Sequence, residues 1–189
     1  MSDAFEVLSR DHEELKRMLL ELETGPAMEP GATAPQLAAR KKLAEKLLAE
    51  QSRHEAVEEE YFWPAVRERL AAGDRLADEA ARQEQDARAM LDRIGKLDAS
   101  DPGFEKLLAA FVVAGREHIA FEETRVWPAM RMALNIHEAA ELGEKLESGK
   151  PMAPARPHPG VPPEAGLLGS AGPAATGGLR GVITGRGKR

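Results

Sequence analysis

The sequence predicts an all-α protein, an antiparallel up-down four-helix bundle with a short C-terminal capping helix and a disordered tail. Three observations predict it. Apolar residues recur at helical spacing through most of the first 149 positions. Ala, Leu, Glu, Arg and Lys dominate the composition, and aromatics are few. One thirteen-residue pattern occurs twice: residues 54–66 read HEAVEEEYFWPAV and residues 118–130 read HIAFEETRVWPAM. Both have the form H-x-x-x-E-E-x-x-x-W-P-A, so the chain reads as two related helix hairpins.

Helix 1 is expected from Asp3 to Thr24 on a stripe of Phe5, Leu8, Leu15, Leu19 and Leu22, with His12 in the same stripe. Gly25-Pro26 ends it, and a Pro/Gly-rich loop runs on to Pro35. Helix 2 is expected from Gln36 to Ala72, kinked or restarted at Pro64, with Gly73 as its stop. Helix 3 is expected from Asp74 to Leu97 on Leu76, Ala80, Ala87, Met90, Leu91 and Ile94. Ser100-Asp101-Pro102 signals the next helix start. Helix 4 is expected from Pro102 to Leu134, again broken by Trp-Pro near its end, and a short helix from Ile136 to Glu147 caps the bundle. Residues 1–149 form the bundle domain, and residues 150–189 form a Pro/Gly-rich, disordered tail.

The repeat extends beyond the motif. Leu43 and Leu47 precede His54 by the same offsets as Leu107 and Phe111 precede His118. Leu15, Met18, Leu19 and Leu22 follow His12 at the offsets at which Ala87, Met90, Leu91 and Ile94 follow Glu84. Glu84 therefore takes in helix 3 the place of His12 in helix 1. Each hairpin supplies one inward polar group from its first helix and two from its second, because i and i+4 share a helix face.

The expected inward set is His12, His54, Glu58, Glu84, His118 and Glu122. Three imidazoles and three carboxylates can hold two first-row metal ions with carboxylates bridging, and this donor set suits iron, with manganese a further fit. Glu59 and Glu123 fall about 140° round the helix from their histidines and are expected in solvent or behind the ligands. Glu55 is a further candidate carboxylate. Trp63 and Trp127 are expected to plug one end of the core, and Tyr61 to pack in it. Gly115 and Ala114, just before His118, are expected to leave room for an exogenous ligand. His137 is expected at a helix end, and His158 in the exposed tail.

Composition narrows the function classes. The chain has no cysteine, which removes disulfides, thiolate sites and thiol nucleophiles and suits the reducing cytoplasm. No apolar run reaches the roughly 18 residues of a membrane span, and MSDAFEVLSRDH lacks the basic and apolar regions of a signal peptide. Residues 1–149 hold 20 Lys/Arg and 31 Asp/Glu, net −11, whereas residues 150–189 hold 6 basic residues and one acidic, net +5. So acidic a body argues against nucleic acid as a partner.

The order H … HxxxEE … WP … H/E … HxxxEE … WP resembles the hemerythrin-like HHE cation-binding domain over about residues 3–148. The proline-rich tail with Arg156-Pro157-His158-Pro159 resembles tails of bacterial, particularly actinobacterial, members. The resemblance implies a four-helix bundle around a non-haem di-iron site, with His12, His54, Glu58, His118 and Glu122 as ligands. It further implies binding or sensing of oxygen, nitric oxide, peroxide or iron, or catalase- or peroxidase-like turnover of hydrogen peroxide. One position departs. Such domains usually carry His in helix 3, where this chain has Glu84 followed by Gln85, and a register slip of one would point Gln85 inward. Carboxylate in place of imidazole favours the ferric state and shifts expectation from a simple oxygen carrier toward redox chemistry. The oligomeric state stays open.

Overall fold

The computed structural model describes residues 2–27 and 31–152. Four helical arms pack as two hairpins, and a fifth helix closes one end. No strand occurs among the described residues. The first three residues of the expected tail, Lys150–Met152, are ordered, and the rest of it, including His158, lies outside the described residues.

Helix α1 spans Ala4–Thr24 and starts at a capping box: the Asp3 carboxylate accepts from the Glu6 amide, and the Asp3 amide donates to the Glu6 carboxylate. Helix α2 spans Ala34–Val57. It passes into a π-helical turn, Glu58–Phe62, and restarts as α3, Trp63–Arg69. Helix α4 spans Gly73–Lys96. The second hairpin repeats the break, with α5 at Pro102–Phe121, a π-helical turn at Glu122–Val126 and α6 at Trp127–Ala133. Helix α7 spans Ile136–Gly149 from an Asn135 cap and lies along α1. A 3₁₀ turn, Lys150–Met152, follows.

The Trp-Pro step therefore restarts each helix after one wide turn. Proline lacks the amide hydrogen that an α-helix needs, and its ring crowds the carbonyl four residues back. The strain is taken up upstream, where Trp63 N–H donates to Glu58 O and Trp127 N–H donates to Glu122 O, five residues back. Gly73 is not the helix stop that the sequence suggested. It begins α4, where a Cβ would stand 2.2 Å from the Val66 carbonyl oxygen, so only glycine lets α4 leave α3 so closely.

The core divides in two. Phe5, Leu8, Val57, Phe62, Val66, Ala77, Ala80, Val126, Met130 and Leu146 pack at the Trp-Pro end. Leu15, Leu19, Leu47, Ala87, Leu91, Phe104, Leu108 and Phe111 pack at the other. Between these apolar blocks the inner faces of α1, α2, α4 and α5 turn polar, at His12, His54, Glu84 and His118. No described helix is long and apolar enough to cross a membrane.

Candidate metal centre

All six side chains expected to face inward do so, and none is more than 5 % exposed. They fall into two overlapping groups. His12, His54, Glu58 and Glu122 each bring one donor atom within 4.8 Å of the others, and so do Glu58, Glu84 and His118. Glu58 belongs to both groups. Glu122 also spans them: its Oε2 lies 3.0 Å from His12 Nε2, and its Oε1 lies 3.0 Å from His118 Nε2. His54 Nε2 lies 3.2 Å from Glu58 Oε2 and 3.2 Å from His12 Nε2. The register at helix 3 resolves to Glu84, which is buried, while Gln85 is exposed on another face.

The imidazole–carboxylate approaches do not form hydrogen bonds. Both oxygens of Glu58 and of Glu122, Glu84 Oε1 and His118 Nε2 are buried without a hydrogen-bond partner. The reason lies on the far side of each ring. His12 Nδ1 meets Glu123 Oε1 at 2.9 Å, His118 Nδ1 meets Gln83 Oε1 at 2.9 Å, and His54 Nδ1 meets Asp11 Oδ2 at 3.4 Å. Each partner oxygen is an acceptor, so Nδ1 carries a proton and, in a neutral ring, the Nε2 lone pair faces inward. His12 and His54 then point lone pairs at each other, and both at carboxylates. Buried polar atoms left this way cost free energy unless a cation sits among them.

The outer residues follow the same two-fold repeat, which sequence reasoning missed. Asp11 immediately precedes His12 and holds the histidine of its own hairpin; Gln83 immediately precedes Glu84 and does likewise for His118. Four residues after His12, Lys16 donates to Glu123 (2.8 Å), which reaches across to His12. Four residues after Glu84, Arg88 bonds Glu59 and also Glu84 Oε2 (3.2 Å). Glu59 and Glu123 are thus partners of the inner groups rather than solvated. Glu55 is buried but turned away from both donor groups, bonded to Arg88 Nε at 2.8 Å and Gln51 Nε2 at 2.9 Å. Comparing the offsets −1 and +4 between His12 and Glu84 would have found this second layer.

Other expectations resolve locally. Trp127 is buried and stacks on the His12 ring, with centroids 4.7 Å apart, so it orients a candidate ligand besides filling the core. Trp63 packs edge-on against Phe62, and Tyr61 packs on the same core block. Gly115 does not open space beside the cluster: the methyls of Leu19 lie 3.4 and 3.6 Å from where its Cβ would be. His137 sits in the first turn of α7, with its amide bonded to Asn135. A small cavity of about 70 Å³ reaches the outer edge of His54, between Asp11, Glu14, Glu50, Arg53 and Lys150.

Electrostatics follow from burial without compensating charge. Burial pushes the Glu58 carboxyl well above its usual range, and Glu122, Glu84 and Glu55 push the same way. Burial and Glu55 likewise raise Glu84, although His118 and Arg88 pull against them. Burial opposes the charged forms of His118 and Glu122, yet each stabilises the other: His118 is raised to about 9, and Glu122 is held well below the ordinary carboxylate value. Burial lowers His54, against the pull of Asp11, and keeps it neutral. Without a cation, protons occupy the places where positive charge is needed.

The donors fit first-row metal ions: imidazole nitrogen and carboxylate oxygen, buried, facing one point, with their outer atoms bonded. Comparison with known proteins agrees. Among curated proteins nothing matches the chain. A crystal structure of a hemerythrin HHE cation-binding domain-containing protein from Mycobacterium kansasii superposes with a TM-score of 0.67 at 24% identity, covering 80% of this chain and 87% of that one. That likeness shows the fold, in an actinobacterial protein. The model of the hemerythrin HHE cation-binding domain matches residues 3–146. The chain belongs to the hemerythrin HHE cation-binding domain family.

Proposed function

We propose that the chain is a non-haem dinuclear metal protein that binds or senses oxygen, nitric oxide, peroxide or iron. In this reading His12, His54, Glu58, Glu84, His118 and Glu122 hold two metal ions, with Glu58 and Glu122 bridging. One observation carries it: the inward atoms of Glu58, Glu84, His118 and Glu122 are buried without a hydrogen bond, while the three imidazoles are fixed from behind. Bound iron supplies the redox chemistry and the open positions that a small ligand needs. The chain supplies the rest. Asp11, Gln83 and Glu123 fix which nitrogen of each ring carries its proton, and the two apolar blocks exclude bulk water.

Glu84 favours a second reading at the same centre, catalase- or peroxidase-like turnover of hydrogen peroxide. A third carboxylate in the cluster adds negative charge and favours the oxidised metal. Peroxide consumption by iron-loaded protein, well above that of free iron, supports turnover. A reversible spectral change with oxygen or nitric oxide and no consumption supports binding or sensing. His54→Ala and His118→Ala test the site itself. Each is expected to abolish stoichiometric metal by elemental analysis, and an unchanged metal content refutes the assignment.

A further inference from the structure

The two donor groups differ in composition. One contains two imidazoles, His12 and His54, with one oxygen each from Glu58 and Glu122. The other contains one imidazole, His118, with oxygens from Glu58 and Glu84, and Glu122 Oε1 lies 3.0 Å from the His118 Nε2. Glu84 makes the difference. The repeat places it where the first hairpin has His12, so one half of the cage is nitrogen-rich and the other oxygen-rich.

Glu84 is held for this role. Its Oε2 accepts from Arg88 Nη2 at 3.2 Å, whereas its Oε1 is buried, aimed inward and unbonded. Arg88 is fixed in turn by Glu55 and Glu59. Glu84 thus presents one oxygen, and its second cannot swing in without breaking an ion pair. The arrangement resembles a metal-bound histidine with its far nitrogen bonded: one inward donor, one outward anchor.

Imidazole suits later first-row ions, while carboxylate suits harder ones such as manganese and magnesium. Manganese lies at the weak end of the divalent series, and its disadvantage grows as nitrogen donors replace oxygen. Magnesium and calcium are hard cations that take oxygen ligands, and calcium takes six to eight of them. His118 disfavours both, leaving manganese as the hard ion that gains on iron where nitrogen is scarce. We propose that the two halves discriminate differently between iron and manganese, and that Glu84 lets manganese compete better in the Glu84/His118 half than in the His12/His54 half. This rests on the metal-centre reading above.

The test is competitive loading. Full-length metal-free protein is given equal iron(II) and manganese(II) without oxygen, separated from free metal and analysed for both elements. The expected product holds iron in excess with measurable manganese beside it. In Glu84→His, which evens out the two halves, the manganese-to-iron ratio should fall roughly tenfold. Glu84→Gln keeps the shape and loses the charge; it should lower the manganese share in the same direction, which preserves the test if Glu84→His fails to fold. A manganese-to-iron ratio that neither substitution lowers overturns the proposal while leaving the metal centre intact. Failure to bind either ion overturns the metal-centre reading itself.

Discussion

Four of the six inner groups, His12, His54, His118 and Glu84, are anchored on their outward side. Asp11, Gln83 and Glu123 take the outward nitrogens of His54, His118 and His12, and Arg88 takes the outward oxygen of Glu84. Losing such a partner commonly weakens metal binding by about 10- to 100-fold. Gln83→Ala and Arg88→Leu should therefore lower metal affinity by roughly that factor while leaving helicity intact, as measured by metal titration alongside circular dichroism. Unchanged affinity in both would mean that the outer bonds do not position the inner groups. The six inward residues were legible in the sequence because i,i+4 spacing and a doubled motif fix which face each occupies. Their outer partners were harder to read, because a surface-type Lys, Arg or Gln is ambiguous until its contact across the bundle is known. The stacking of Trp127 on His12 depends on the wide turn between Glu122 and Trp127; Pro128 announces a break there but not its π-helical form.

At the scale of elements, spacing gave the helices and proline gave the breaks, but glycine was misread. Gly73 looked like a stop and Gly115 like an opening; Gly73 instead serves a close approach, and Gly115 faces Leu19 at ordinary contact distance. Gly143 is a second such case, because a Cβ there would meet Ser2 O at 2.4 Å and the Ala4 amide nitrogen at 2.9 Å. Both are backbone atoms at the start of α1 and cannot rotate away. Gly143→Ala should lower stability by about 1–3 kcal/mol, read as a fall in the thermal midpoint. Gly115→Ala meets only Leu19 methyls at ordinary contact distance and gains helix propensity of about 1 kcal/mol. It should melt no lower than the parent. A reversed order of these two variants would contradict the packing of α7 on α1. The two wide turns share one cause, the missing amide hydrogen of Pro64 and Pro128, and they keep the two hairpins alike where the motif ends.

For the whole molecule, the polar cage between two apolar blocks makes stability depend on pH and on metal. His118 is raised from 6.5 to about 9 in the folded chain, so the stability it confers is complete below about pH 6.5 and lost as pH rises through 9. Glu58 and Glu84, raised by burial, act in the same direction. His54, lowered by burial, acts only below its ordinary value of 6.5. Metal-free protein should therefore become less stable from pH 6.5 to 9, as denaturant melts would report. Metal binding displaces those protons and should strengthen over the same range, so loaded protein should show the reverse or no trend. A metal-free protein whose stability rises between those pH values would contradict the electrostatics of the cage. The most direct test of the central claim is anomalous diffraction from crystals of metal-loaded protein, collected just above the iron absorption edge, where iron and manganese both scatter anomalously. Two neighbouring peaks are expected, one against the Nε2 atoms of His12 and His54 and the other between His118 and Glu84, with Glu58 and Glu122 touching both. No peak among these six side chains, or peaks only elsewhere on the surface, would contradict the account.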